Sequence, residues 1–168
     1  LLIPAFIYFF KILYPFALAN NPRSRVAAAA GGLILTRTKC LREVGGFERI
    51  KGEIIDDCAL ARAIKDKNKK TWIGLSHAVT TTRSYESLGN IWHMVARTAY
   101  TQLRYSLLLL ILASLSMVLA FVVPIIGLFS GLYTFLIALT PLALMAFTYK
   151  PTISLYNLPT QWALSLPL

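Results

Sequence analysis

The chain has 168 residues, of which 57% are hydrophobic and only 14% are charged, and its mean hydropathy is +0.62. This apolar share is well beyond that of an ordinary soluble domain, so the composition indicates a membrane protein or part of one. All seven acidic residues and 16 of the 17 Lys and Arg residues precede Tyr105, and no formal charge lies between Arg104 and Lys150. We therefore expect a basic polar part followed by a lipid-embedded part.

The net charge of +10 does not indicate a nucleic-acid partner. The basic residues are spread along the polar part and lie beside apolar segments, where a membrane protein is expected to carry a cytoplasmic positive excess. Cys40 and Cys58 have no CxxC spacing and no nearby His pair of the zinc-binding type. The sequence therefore predicts reduced, structural thiols and no metal site within these residues.

The first apolar segment, residues 1–19, is interrupted by Pro4, Lys11 and Pro15. These interruptions, together with the aromatic residues of the segment, favour an interfacial or protein-packed helix over a membrane span. The chain starts at Leu1 rather than Met and stops inside an apolar segment, which indicates a fragment of a longer protein.

Residues 20–86 have the pattern of a mixed α/β region. The run GGLILT, Gly31 to Thr36, is short, apolar and bounded by glycines, which is typical of a buried strand. A short helix from Thr38 to Val44 is predicted to end at Gly45-Gly46, and a second helix is predicted from about Asp56 to Lys67. The segments TWIGLS and AVTTTRS are predicted to be extended, so helices and strands alternate in this region.

Residues 87–105 are predicted to form an amphipathic interfacial helix. Apolar residues recur at three- and four-residue steps, and the opposite stripe is polar. The apolar stripe consists of Leu88, Ile91, Trp92, Val95, Ala99 and Leu103, and the polar stripe consists of Asn90, His93, Arg97, Thr101 and Arg104.

Residues 106–147 are predicted to contain two transmembrane helices, Leu107 to Phe129 and Gly131 to Phe147, in a tight hairpin. Residues 148–168 are predicted to form an interfacial linker that leads into a truncated third span. Because Lys and Arg crowd before the hairpin and Lys150 follows it, the positive-inside rule places both flanks in the cytosol.

Two adjacent carboxylates, Asp56 and Asp57, stand at the start of the second predicted helix. An aspartate is a favoured helix N-cap, because its carboxylate accepts hydrogen bonds from free N–H groups at the positive helix end. The same position also suits a carboxylate general base. The pair alone therefore leaves both a structural and a catalytic role open.

Several segments, taken in order, resemble the C-terminal half of membrane-bound family 2 glycosyltransferases of the GT-A fold. GGLILTRTKCL is followed by VGGF, then by nine residues before Asp57, then by ARTAYTQLRY and the spans. The sequence is most similar to the bacterial hopene-associated (hopanoid biosynthesis-associated) glycosyltransferases, through YFFKILYPFALANNPRSRVAAAAGGLILTR, IDDCALARAI and RSYESLGNIWHMVARTAYTQLRYS. The fold implied by this resemblance is the C-terminal part of an α/β GT-A domain, followed by an interfacial helix and a transmembrane hairpin.

In that family a GGF-like turn precedes an acidic pair whose second member is the catalytic base. By this resemblance Asp57 inherits the role of the base. Asp56 stands where the family usually has Glu, and we expect it to act as the helix cap. The turn residues Gly45, Gly46 and Phe47 are expected to belong to the acceptor-side floor.

The family also has a QxxRW-type motif on its interfacial helix. Aligning its arginine with Arg104 puts Thr101 at the Gln position and Tyr105 at the Trp position, while Gln102 lies one step away. Arg104 is therefore expected to bind the departing diphosphate, because the planar guanidinium fork grips phosphate oxygens in a bidentate way.

The implied reaction is transfer of a sugar, with inversion, from a nucleotide sugar to a lipid acceptor such as a hopanoid, at the cytosolic face of the bacterial inner membrane. His93 and Arg97 share the polar stripe with Arg104 and are expected to help orient the diphosphate or the acceptor. The family binds a divalent Mg or Mn ion through an upstream DxD motif, which this sequence does not contain. We therefore expect the donor-binding half to be missing and residues 1–168 alone to be inactive.

Two other functions are compatible with the same pattern. A processive polysaccharide synthase would share the fold but would need more spans, which enclose a polymer channel. A non-catalytic membrane scaffold would keep the fold without the chemistry.

Overall fold

The computed structural model describes residues 2–79 and 87–166. Eight α-helices lie in this part of the chain: α1 Leu2–Leu13, α2 Phe16–Asn20, α3 Thr38–Glu43, α4 Asp56–Asp66, α5 Leu88–Gln102, α6 Leu107–Met117, α7 Val123–Gly127 and α8 Leu132–Leu155. Two 3-10 helices, Phe47–Ile50 and Thr160–Ser165, and one π-helix, Val118–Val122, complete the regular structure of the described residues.

The predicted α/β class is wrong, because the described residues contain helices and turns but no β-strand. The predicted strand at Gly31 begins in a turn, in which the Leu33 N–H donates to the Ala30 carbonyl at 3.2 Å. Its side chains are not in a core either, since Leu35 is 97% exposed. A short apolar run forms a strand only where a neighbouring strand supplies ladder hydrogen bonds, and no such neighbour lies within the described ranges. The chain is therefore not an α/β GT-A domain.

A side chain, rather than a strand, pairs with the second predicted extended segment. The Ile73 N–H donates to Asn20 Oδ1 at 2.7 Å, and Asn20 Nδ2 donates to the Ile73 carbonyl at 2.9 Å. The amide thus satisfies both backbone groups of a buried residue, as a strand partner would have done. The third predicted extended segment, AVTTTRS, lies outside the described residues from Thr80 onward.

The apolar N-terminal segment is two helices rather than one. Pro4 lies in the first turn of α1, where a missing N–H costs no helical hydrogen bond. Pro15 separates α1 from α2 and has φ −55° and ψ 118°, outside the helical region. Because the residue before a proline is also disfavoured in the helical conformation, the chain turns at Tyr14-Pro15.

Residues 11–105 form a compact unit. Its core contains Val44, Ile50, Leu60 and Ile64, which are all buried. Leu60 and Ile64 are one helical turn apart, so α4 presents one apolar stripe to this core.

The Lys65 side chain of α4 forms hydrogen bonds to the chain segment at the end of α2 and just after it. Its Nζ donates to the carbonyls of Asn21 at 3.1 Å and Ser24 at 3.2 Å, and also to those of Leu18 and Val26. The ammonium group binds carbonyls at and after the C-terminal end of α2, where the helix dipole is negative and a cation is favourable. Ala27 and Ala28, which follow Val26, are buried.

Residues 2–10 and 106–166 form the second unit. Two helical stretches in it, Leu107–Gly127 and Leu132–Leu155, are long and apolar enough to cross a membrane, by length and composition. Most of their large apolar side chains are exposed, whereas the core helix of a soluble protein buries such side chains.

Prolines shape both stretches. The π-helix Val118–Val122 lies directly before Pro124, whose ring lacks an N–H and crowds the preceding turn, so the helix widens there. The second stretch continues beyond Phe147, where we expected it to end, and passes through Pro151 to Leu155. The continuation is packed, because Tyr149 and Ile153 are buried against Ala163.

Candidate functional site

Asp57 lies in the first turn of α4, and two backbone N–H groups hold its carboxylate. The Gly31 N–H donates to Asp57 Oδ2 at 2.8 Å, and the Cys58 N–H donates to Asp57 Oδ1 at 2.6 Å. The side chain is partly exposed. Each carboxylate oxygen has a second acceptor site, so the group keeps capacity for a proton or a donor from solution while its orientation is fixed.

Asp56 has a different environment. Ile55, not Asp56, occupies the N-cap position of α4, so the expected cap is displaced by one residue. Asp56 Oδ1 instead accepts from the Asp57 N–H at 2.9 Å, and the side chain is exposed. Within residues 2–79 and 87–166, N–H groups of two chain segments hold the Asp57 carboxylate, whereas the Asp56 carboxylate accepts only from the Asp57 N–H.

Gly31 permits the close approach of its chain segment to Asp57. A Cβ at Gly31 would lie 3.3 Å from Asp57 Oδ2, which is tighter than an ordinary van der Waals contact. The neighbouring Gly32 has no atom within 4 Å of such a Cβ. A Cβ at Gly31 would thus press on the Asp57 carboxylate, whereas a Cβ at Gly32 would meet open space.

This difference gives a matched pair of substitutions. We expect Gly31→Ala to lower turnover by about tenfold or more, since a carboxylate displaced by a few tenths of an ångström loses its alignment with the reacting hydroxyl. Gly32→Ala should keep wild-type turnover. Turnover and thermal stability of both variants, measured in the native membrane protein, test this expectation. Equal activity of the two variants would contradict the positional role of Gly31.

Arg104 lies in a strained turn at the end of α5. The Tyr105 N–H donates to the Tyr100 carbonyl at 3.1 Å, and the Arg104 N–H donates to the Thr101 carbonyl at 2.9 Å. These two bonds define a Schellman motif with Arg104 at the C′ position, where the backbone must be left-handed. Arg104 has φ 53° and Tyr105 has φ 56°.

Three other helices end with the same pair of hydrogen bonds, and their C′ residues tolerate that conformation. They are Gly45 after α3, Asn68 after α4 and Asn157 after α8, with φ 96°, 56° and 54°. Glycine and asparagine adopt the left-handed region at little cost, whereas a longer side chain pays about 1 kcal/mol or more. Arginine at this position therefore costs stability, and such local strain is typical of functional residues.

Tyrosine side chains close the turn around Arg104. The Tyr100 hydroxyl donates to the Tyr105 carbonyl at 2.9 Å, and the two rings meet edge to face with centroids 5.4 Å apart. The Thr101 hydroxyl donates to the Tyr105 hydroxyl at 3.2 Å. Thr101 and Tyr105 thus fix the backbone that presents Arg104, which is exposed and has no carboxylate partner among the described residues.

Gln102 does not point to a free surface. Its Nε2 donates to the Tyr14 hydroxyl. No sequence motif singles out Gly31, whose N–H holds the Asp57 carboxylate.

The other predicted site residues lie elsewhere in the same unit. His93 and Arg97 are exposed on α5, and the described residues offer them neither a hydrogen bond nor an ion pair. Gly45 lines an open cleft of about 360 Å³, whose other lining residues are Glu43, Val44, Arg49, Ala63, Asp66 and Lys67.

The Gly45 cleft is at the opposite end of α4 from Asp57. Asp66 lies nine positions after Asp57, which corresponds to about 14 Å at the helical rise of about 1.5 Å per residue. Gly46 follows with φ 63°, and Phe47 is 66% exposed. The structure therefore does not bring the predicted acceptor-side turn next to the carboxylate.

No group of three or more His, Cys, Asp or Glu side chains that could hold a metal ion is found in residues 2–79 and 87–166. These residues do not fit a Mg or Mn site of their own, and the ion expected at a DxD motif stays a prediction.

The family model described as "Glycosyl transferase family 21" matches residues 7–168, a range that includes Asp57, Arg104 and both apolar stretches. No curated protein and no solved structure gives a match to the chain.

Proposed function

Because the chain belongs to glycosyl transferase family 21, we propose that it transfers a sugar from a nucleotide sugar to a lipid hydroxyl, with inversion at the anomeric carbon. The observation that carries this proposal is the Asp57 carboxylate, which N–H groups of Gly31 and Cys58 hold from two sides. A general base must be fixed in direction and must keep an accessible lone pair, and this carboxylate meets both conditions.

In the proposed reaction Asp57 accepts the proton of the acceptor hydroxyl. The hydroxyl oxygen forms a bond to the anomeric carbon as the bond from that carbon to the diphosphate oxygen breaks. The nucleoside diphosphate leaves with the bonding electrons and gains negative charge. The exposed Arg104 guanidinium is suited to stabilise that charge, since hydrogen bonds fix the backbone that carries it and no described carboxylate neutralises it.

The acceptor is proposed to come from the membrane. Leu107–Gly127 and Leu132–Leu155 are long enough to span it, and four residues lie between the end of α5 and the first of them. Leu88 and Trp92 of α5 are 71% and 72% exposed, as expected for a helix that lies at a lipid interface. The excess of Lys and Arg before Tyr105 supports a cytosolic position of this helix in a bacterial inner membrane.

The acceptor class is a lipid with a hydroxyl at headgroup depth. The similarity of several segments to hopene-associated glycosyltransferases supports a hopanoid as one such lipid. The donor is proposed to be a nucleotide sugar because the reaction requires a diphosphate leaving group.

Product analysis tests the proposal. Membranes that contain the native protein are supplied with labelled nucleotide sugars, and the lipid extract is separated by chromatography and identified by mass spectrometry. We expect one glycolipid that carries a single sugar. A ladder of products would favour a processive polysaccharide synthase, and no transfer with any donor would favour a membrane scaffold.

A further inference from the structure

We propose that the loop of residues 33–35 inserts between anionic phospholipid headgroups, and that this contact holds Asp57 at the depth of the lipid acceptor. The loop consists of Leu33, Ile34 and Leu35. It connects the turn at Gly31 to the start of α3. The inference rests on the proposed function where it concerns catalysis, because it assigns the base a position relative to its acceptor.

All three side chains of the loop are exposed. The exposed fraction is 63% for Leu33, 40% for Ile34 and 97% for Leu35, and none of them belongs to the buried core of the unit. A single exposed leucine is ordinary, but three consecutive exposed aliphatic side chains form an apolar patch. Such a patch is typical of a surface that binds a membrane or another molecule.

The chain is held in place on both sides of the loop. Before it, the Leu33 N–H donates to the Ala30 carbonyl at 3.2 Å. After it, the Leu41 N–H donates to the Arg37 carbonyl at 3.0 Å, and Leu41 packs against the core. The loop therefore projects from two anchored ends, and a force on its tip is transmitted to the residues beside it.

One of these ends is the support of the candidate base. The Gly31 N–H donates to Asp57 Oδ2 at 2.8 Å, and Leu33 follows Gly31 by two residues, which span at most about 7 Å. On the other segment, Ile54 is 43% exposed and stands three residues before Asp57. Apolar side chains thus lie on both chain segments that meet at the carboxylate, so a lipid surface that contacts them lies close to it.

Positive charge beside the loop favours anionic phospholipid as the occupant. Arg37 and Lys39 follow the loop and are exposed, and none of residues 1–42 is Asp or Glu. Arg37 has no carboxylate partner within residues 2–79 and 87–166. Apolar side chains that reach the acyl boundary, together with cations that stay at the phosphate groups, are the usual means of binding such a surface. The two candidate membrane spans of the same chain keep this surface within reach.

The backbone of the loop limits how deeply it enters. Residues 33–35 belong to no helix and no strand, so their N–H and C=O groups need water as a partner. The hydrocarbon core of a bilayer has no water, whereas the headgroup region does. The loop therefore stays at headgroup depth. At this depth Asp57 remains hydrated and can meet a hydroxyl that a lipid presents at the membrane surface.

Photo-crosslinking tests the contact directly. A diazirine analogue of leucine replaces Leu35 in the native protein, which is reconstituted into vesicles of phosphatidylethanolamine and phosphatidylglycerol and irradiated. We expect a phospholipid adduct by mass spectrometry, and more adduct as the phosphatidylglycerol fraction rises. The same analogue at Trp72 is the control, because Trp72 is 78% exposed but lies beside the Asn20–Ile73 contact, away from Asp57. An adduct to protein, no adduct, or equal adducts at both positions would overturn the inference.

Leu35→Asp tests the consequence for catalysis. Because Leu35 makes little contact with the rest of the protein, thermal stability should not change. We expect kcat/KM for the lipid acceptor to fall about tenfold, while KM for the nucleotide sugar stays unchanged, since the base no longer lies at the depth of the acceptor. Leu35→Met keeps an apolar side chain, and Trp72→Asp places the same charge elsewhere. Both should keep wild-type kinetics.

The outcomes separate the inference from the function on which it rests. No phospholipid adduct at position 35, with normal sugar transfer, would overturn the loop contact and leave the proposed function in place. An adduct together with wild-type kinetics of Leu35→Asp would overturn the role of the loop in placing Asp57. A wild-type protein that forms the adduct but transfers no sugar from any donor would overturn the proposed function and keep the membrane contact.

Discussion

Replacing Asp57 by Asn is expected to lower the rate of sugar transfer about 10²- to 10⁴-fold, which is the usual contribution of a general base. The amide cannot accept the proton of the acceptor hydroxyl. Its NH₂ group must also face one of the two N–H donors that hold the carboxylate, from Gly31 or Cys58, so one donor loses its partner. The measurement is turnover of labelled nucleotide sugar, with thermal stability recorded for the same preparation.

Asp56→Asn is the control for this variant. It makes the same chemical change at the adjacent residue, whose carboxylate is exposed and, in the part of the chain that the structure describes, accepts only from the Asp57 N–H. We expect turnover within about twofold of wild type. Equal losses in the two variants would show that the reaction requires the combined negative charge of the two carboxylates at the start of α4, and not one base.

Arg104→Gly is expected to change stability and activity in opposite directions. Glycine relieves the left-handed backbone at the C′ position, which should stabilise the fold by about 1 kcal/mol. Loss of the guanidinium should lower kcat about 10²- to 10³-fold, the cost of removing one electrostatic contact to a developing charge. A thermal unfolding curve and a turnover assay on one preparation measure both effects.

Two further variants serve as controls for Arg104→Gly. Asn68→Gly alters the same position of the motif that closes α4, so it should leave turnover unchanged. Arg104→Lys keeps the charge but loses the planar fork, and we expect part of the activity to return. If Arg104→Gly is less stable than wild type and keeps its activity, Arg104 has a structural role in the turn and does not bind the diphosphate.

The sequence predicted three helices of the polar unit, α3, α4 and α5. Gly45-Gly46 marked the end of α3, and the aspartate pair marked the start of α4 within one residue of the observed cap. Periodicity marked α5, which runs from Leu88 to Gln102. These signals are local, since capping and amphipathic spacing depend on residues within one or two turns.

The features that the sequence did not predict depend on contacts between residues that are distant in the chain. Nothing near Ile73 shows that the Asn20 amide will pair with its backbone, and nothing near Gly31 shows that its N–H will bind Asp57. The apolar run after Gly31 satisfied the local pattern of a strand, but no partner strand accompanies it in the described residues. A run of this kind cannot by itself predict a sheet.

Arg104 was selected by resemblance alone, and its backbone conformation could not be predicted. Propensity argues against arginine at a left-handed position, because its Cβ is strained there. Gly45 and Asn157 occupy the equivalent positions of other helices without such strain. The strained backbone of Arg104 is therefore an independent structural reason to single out this residue.

The anomeric configuration of the product tests most directly the claim that Asp57 activates the acceptor for a single displacement. The native protein is supplied with the nucleotide sugar that it uses, and the linkage of the purified glycolipid is determined by NMR. One displacement inverts the anomeric carbon, so an α-linked donor should give a β-linked glycolipid. A product that retains the α configuration would contradict a mechanism in which Asp57 is the base.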